Sequence, residues 1–226
     1  MRKDTSKPTD SHDKNKYQII SYYTLRKLIG SAGIFLPSLM VIGQLINESS
    51  MKIEFSISDY YDEGIAGDIL VGILFALGFF LFSYKGPERI DSRAANVGCV
   101  AALGVALFPT TSPVNWVHIM HFVFALLLFG VFIFFSLVLF RKTDPSKRIT
   151  KKKENRNKAY LVCGIIMIVC IAGVPISIFL LPEASEKYNL VFWLEAISLE
   201  AFGFSWITKA EVLWQDSENL AEKKRV

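Results

Sequence analysis

The stretch FVFALLLFGVFIFFSLVLF, running from Phe122 to Phe140, decides the fold. It carries no charge, and Ser136 is its only polar side chain. At ~1.5 Å per residue such a run matches the ~30 Å hydrocarbon core of a bilayer. A soluble helix needs one apolar stripe, whereas this one is apolar on every side. It reads as a transmembrane helix.

Working outward, five further apolar stretches approach or exceed the crossing length. Together the spans are 28–46, 67–84, 94–108, 116–140, 159–181 and 190–208. Hydrophobic residues make up 52% of the chain, and the 20% that are charged gather in islands between the apolar runs. A globular surface would spread them. Residues 1–17 are polar and mixed in charge, which predicts a disordered tail, with no cleavage site after the first apolar run. The spans therefore define one domain, 18–210, followed by a polar tail, 211–226.

Orientation follows from Lys and Arg. Alternate segments (the N-terminal segment through Lys27, the 85–93 and 141–158 loops, and the segment from Lys209 onward) hold all but two of the 25 basic residues. Only Lys52 and Lys187 fall on the other side. The positive-inside rule puts both termini in the cytoplasm. Removing one helix would scramble this alternation, so the charges support the third span, which is short and rich in Ala and Gly. The compact chain and the absence of an evident sorting signal favour a bacterial inner membrane. Asn47-Glu48-Ser49 matches a glycosylation acceptor pattern by residue type alone.

The loops differ in character. The 141–158 loop is strongly basic, which serves topology and fits contact with an anionic cytoplasmic leaflet. The acidic 47–66 loop contains IEFSIS, an alternating run that predicts strand-like structure. In the third span Ala94, Gly98, Ala102 and Ala106 recur every fourth residue, a face that admits a close neighbour and predicts a central position. Pro37 and Pro175 predict kinks. Cys99, Cys163 and Cys170 lie in apolar segments without CxxC spacing, so neither a zinc site nor a disulfide framework is indicated.

Ionisable groups within the spans cost about 2.5–3.5 kcal/mol each at the bilayer centre and need an explanation. Glu200 lies near the midplane. Glu195, His118 and His121 lie nearer the outer side, where Asp68 caps the second span and Asp59 precedes it. Glu195 and Glu200 point about 140° apart on one helix. Glu195 shares a polar stripe with Ser198, Ser205 and Lys209, which predicts a cavity on that side and Glu200 buried against a neighbouring helix. His118, His121 and Glu195 are candidate zinc ligands with one open position, and Asp68 is an alternative to Glu195. His12, across the membrane, cannot join them. No phosphate-binding glycine loop, nucleic-acid-binding fold or serine–histidine pairing is legible.

Three features resemble a six-helix family that includes the DRAM autophagy modulators and the Frag and Sfk proteins, together with bacterial membrane proteins of unknown function. They are Ile57-Ser58-Asp59, then Asn96, Gly98, Gly104 and Phe108-Pro109, and finally His121 with Ala125 and Phe129 at helical spacing. The resemblance covers residues 28–208 and implies six helices and an association with membrane lipids, with no catalytic set carried over. The leading expectation is thus a protein that handles or senses lipid through an outer-leaflet cavity. The alternatives are a metal-dependent lipid hydrolase and a proton-coupled transporter titrating Glu200.

Overall fold

The structure, a computed structural model, describes residues 22–48, 52–143 and 149–214. The expected tail 1–17, most of 211–226 and residues 144–148 of the basic loop lie outside the described residues. Among these there are seven α-helices and no strand, and six helices are long and apolar enough to cross a membrane. The chain is an all-α, polytopic membrane protein.

The spanning helices are α1 (Tyr22–Glu48), α2 (Gly64–Ser83), α3 (Arg89–Leu107) and α4 (Asn115–Phe134). A π-helical turn, Phe135–Leu139, extends α4, and α5 (Lys151–Leu180) follows. A short α6 (Pro182–Tyr188) leads into α7 (Leu190–Lys209). Pro182 begins α6 where no backbone donor is needed, and Asn189, in the left-handed region at φ 49°, turns the chain into α7.

Several helices start earlier than their apolar runs, because caps and not hydrophobicity fix their ends. A capping box between Glu88 and Asp91 starts α3 at Arg89 instead of residue 94. Thr150 accepts from the backbone of Lys153 at 3.1 Å and starts α5 at Lys151, so the basic run through residue 158 is two helical turns and not loop. Pro37 and Pro175 lie inside continuous helices.

α1 packs on α2 and α7, α2 on α3, α3 on α4, α4 on α5, and α5 on α7, which closes a ring of six. Contrary to expectation, α3 holds a ring position between α2 and α4. Its small residues still leave it 56% buried, the same as α7 and double the 28% of α5. Side chains fill the centre. Phe132 and Phe202 stack with centroids 3.6 Å apart, while Tyr84, Phe135 and Phe140 surround the fully buried Trp206.

In lipid, helices gain nothing by hiding apolar surface from water, so close van der Waals contact holds the ring together. At the α1–α7 crossing backbone meets backbone. A Cβ on Gly203 would stand 2.4 Å from the Gly30 carbonyl oxygen, and one on Gly30 would stand 2.8 Å from that of Gly203. This crossing fixes the rotation of α7, and so the directions of its two glutamates.

Candidate functional site

The predicted strand IEFSIS is instead an irregular segment, 52–57, folded over the end of the bundle opposite the basic loops. It is followed by a 3-10 turn, Ser58–Asp62. Each neighbouring helix ties it down. From α1, Gln44 Nε2 donates to Glu54 at 2.7 Å. From α7, the Phe192 backbone donates to the Phe55 carbonyl at 2.9 Å, and Glu195 Oε2 accepts the Ile57 N–H at 2.7 Å. Asn189 Nδ2 reaches the Ile53 carbonyl at 2.9 Å. Asp59 accepts the Ser56 N–H at 3.0 Å and donates its own N–H to the Ser56 hydroxyl oxygen at 3.2 Å, a local turn lock.

His121 joins this segment to α4. Its Nδ1 lies 2.6 Å from the Phe108 carbonyl, and its Nε2 lies 2.9 Å from Ser58 Oγ. A carbonyl only accepts, so Nδ1 carries the proton and Nε2 accepts the serine hydroxyl. His121 is buried, 1% exposed, whereas His118 is exposed and has Nδ1 2.6 Å from the Thr110 carbonyl. Thr110 in turn donates to the Ser58 carbonyl at 3.3 Å. Beneath the segment lies a cavity of about 60 Å³, where Ser58 and Glu195 meet Leu36, Leu74, Val105 and Leu199. At ~30 Å³ per water it has room for about two.

The hydroxyl of Tyr60 accepts the Glu54 N–H at 3.2 Å. Burial, first of all, pushes its pKa above the ordinary phenol value, with the Glu54 and Glu63 carboxylates adding to the rise. Its phenol stays protonated wherever the protein is folded at neutral pH.

Four of the six candidates, His118, His121, Glu195 and Asp59, thus belong to one cluster. Asp68 does not, being exposed on α2. Both nitrogens of His121 meet protein partners, and no group of three His, Cys, Asp or Glu suited to a metal ion occurs among the described residues. What the cluster does hold is the serine–histidine pairing that the sequence did not reveal. Ser58 and His121 are 63 positions apart, and only the inward fold of 52–57 brings them together.

Glu200 departs from expectation as well. It is not buried against a neighbour but exposed on the outer face of α7. There it forms part of the floor of a groove of about 740 Å³ between α1 and α5. Ile34, Val162, Ile166, Ile197 and Phe204 give this groove an apolar lining. Asn155 and Lys158, at the basic end, are its other polar residues. The polar stripe of α7 does face inward: Ser198 and Ser205 are fully buried, and Glu195 lines the cavity of about 60 Å³. Ser205 is bonded to Ser136 of α4 at 2.8 Å and the stacked phenylalanines fill the space beside it.

Comparison with protein-family models, curated proteins and solved structures finds no match for this chain.

Proposed function

We propose that this polytopic membrane protein binds a membrane lipid laterally, with acyl chain in the α1–α5–α7 groove. The observation that carries this reading is Glu200, a carboxyl group about ten residues, or ~15 Å, into α7 and turned outward into an apolar groove. A polar group at that depth is expensive, and hydrocarbon alone offers it no partner. A lipid bearing hydroxyl or amide groups supplies one while filling the groove with its tail. Lys158 and Asn155, at the end that the charge rule assigns to the cytoplasm, suit its headgroup. The resemblance to the DRAM, Frag and Sfk proteins points to lipid as well, and a bacterial inner membrane is the setting we favour.

The proposal moves the lipid away from the outer-leaflet cavity, which at about 60 Å³ is too small for a chain. It also removes Glu200 from any proton path through the bundle, since the residue faces outward. Native mass spectrometry of the protein released from membranes tests the reading. Wild type should retain lipid, and Ala201→Phe, which fills the groove floor, should release it. Equal retention by both would sink the proposal.

A second reading rests on Ser58 and His121. A hydroxyl 2.9 Å from an unprotonated imidazole nitrogen, with the ring held by a carbonyl, is a nucleophile–base pair able to carry out acyl transfer. This replaces the metal-dependent hydrolase with a metal-free one. A fluorophosphonate probe should then label wild type and spare Ser58→Ala. Absence of labelling in detergent and in nanodiscs alike would leave the pair as a structural latch.

A further inference from the structure

The groove that holds Glu200 has a depth scale built into its walls. Arg156, near the start of α5, and Lys209, at the end of α7, turn inward on one polar space, so they stand at one level of the basic end. Glu200 lies nine residues before Lys209, or ~13 Å deeper along α7. Lys158 lies two residues beyond Arg156, only ~3 Å deeper along α5. α5 and α7 run in opposite directions, so Glu200 is ~10 Å farther from the basic end than Lys158.

Trp214, whose carbonyl accepts from Arg156 at 2.6 Å, lines the same end of the groove. Tryptophan favours the membrane–water interface, and this one marks the level of the lipid headgroups. Asn155 and Lys158 stand beside it. Lys158 Nζ is 2.8 Å from Glu154 Oε1, one helical turn nearer the basic end, so the ammonium is drawn away from Glu200. Between this end and Glu200 the lining is apolar, through Ala159, Val162, Cys163 and Phe204. No hydrogen bond or ion pair joins Glu200 to any of the described residues.

One leaflet offers ~15 Å of hydrocarbon, half of the ~30 Å core. A lipid with its headgroup beside Trp214 and Lys158 therefore passes Glu200 about two-thirds of the way down its tail. Glycerol ester oxygens, and the amide and hydroxyl of a sphingoid base, lie next to the headgroup and fall ~10 Å short of the carboxyl. A plain acyl chain reaches the right depth but brings only methylene groups, which leave the carboxyl as costly as before. A hydroxyl part-way along the chain meets both needs, since it can donate to a carboxyl oxygen at that depth.

We infer, resting on the lipid reading of the groove, that its preferred occupant is a lipid whose acyl chain bears a mid-chain hydroxyl group bonded to Glu200.

The test uses the full-length protein in nanodiscs and native mass spectrometry of the lipid kept on release. Two phosphatidylcholines, one with a stearoyl chain hydroxylated mid-chain and one with that chain hydroxylated beside the ester, each compete in equal amount with the unmodified form. The mid-chain form should be enriched at least about threefold, the ratio that one net hydrogen bond supplies. The form hydroxylated beside the ester should not be enriched. Glu200→Leu should abolish the enrichment, and Glu200→Gln, whose amide oxygen also accepts, should keep it. Lipid that is retained, and released by Ala201→Phe, but without preference for the mid-chain form would overturn the hydroxyl and leave the lipid reading standing. Equal enrichment of the form hydroxylated beside the ester would overturn it as well, as would enrichment that survives Glu200→Leu. Absence of retained lipid would sink both.

Discussion

Two grooves of similar size run down the outer surface of this bundle, and they differ in what lines them. The one between α3 and α4, about 650 Å³, is walled by residues such as Val97, Val123, Leu127 and Phe134, with Arg93 as its only charged group. The other, about 740 Å³, carries Glu200 part-way along and Lys158 at its end. Any groove in a membrane protein is filled by lipid tails, so volume alone selects nothing. On the proposed reading, a carboxyl group that the membrane penalises lets the α1–α5–α7 groove prefer one kind of lipid. The α3–α4 groove is the internal control.

Glu195 calibrates that contrast, since it belongs to the same helix and faces inward. Glu195→Leu leaves the Ile57 N–H without its acceptor and should cost about 1–3 kcal/mol. The loss is read as a lower unfolding midpoint and faster proteolysis within 52–57. Glu195→Gln keeps an acceptor and should recover most of the loss. If Leu and Gln behaved alike, the carboxylate would not be holding the segment.

Next in size is Glu200→Leu, with the opposite sign. Removing a carboxyl from the outer face relieves part of the ~2.5–3.5 kcal/mol insertion cost, so the variant should be at least as stable as wild type. It should lose preference among lipids, as read by the classes that copurify. A destabilised Glu200→Leu would mean that the carboxyl bonds within the protein, and the contrast between the two glutamates would break. Smallest is Gly130→Leu in the control groove, where an added Cβ meets nothing within 4 Å. Stability should change by less than about 0.5 kcal/mol. Lipid retention should not change at all.

The six spans were legible because two independent signals, apolar length and alternating basic islands, coincide. Helix starts were not, because Thr150 and the Glu88–Asp91 pair carry α5 and α3 into charged sequence that a hydropathy reading assigns to loops. The α7 glutamates were half legible. Helical phase separates them by about 140°, so with Glu195 turned inward Glu200 must turn away from the core. The expectation erred in supplying a neighbour where α1 and α5 leave a gap. Ser58 was readable only as part of the Ile57-Ser58-Asp59 resemblance, since its contact with His121 depends on a fold-back that no local pattern encodes. The inward cations of the basic end were hidden for the same reason. In sequence, Arg156 looks like any other topology charge, and only the meeting of α5 with the turn after α7 buries it.

The most direct test of the lipid proposal is mapping of adducts from a photoactivatable lipid with its diazirine in the acyl chain, incorporated in native membranes. Adducts should concentrate on the Ala159–Ile166 and Ile197–Phe204 segments, with fewer on Val97 and Leu127, and Ala201→Phe should abolish that bias. Adducts distributed evenly over both grooves, unchanged by Ala201→Phe, would contradict the account.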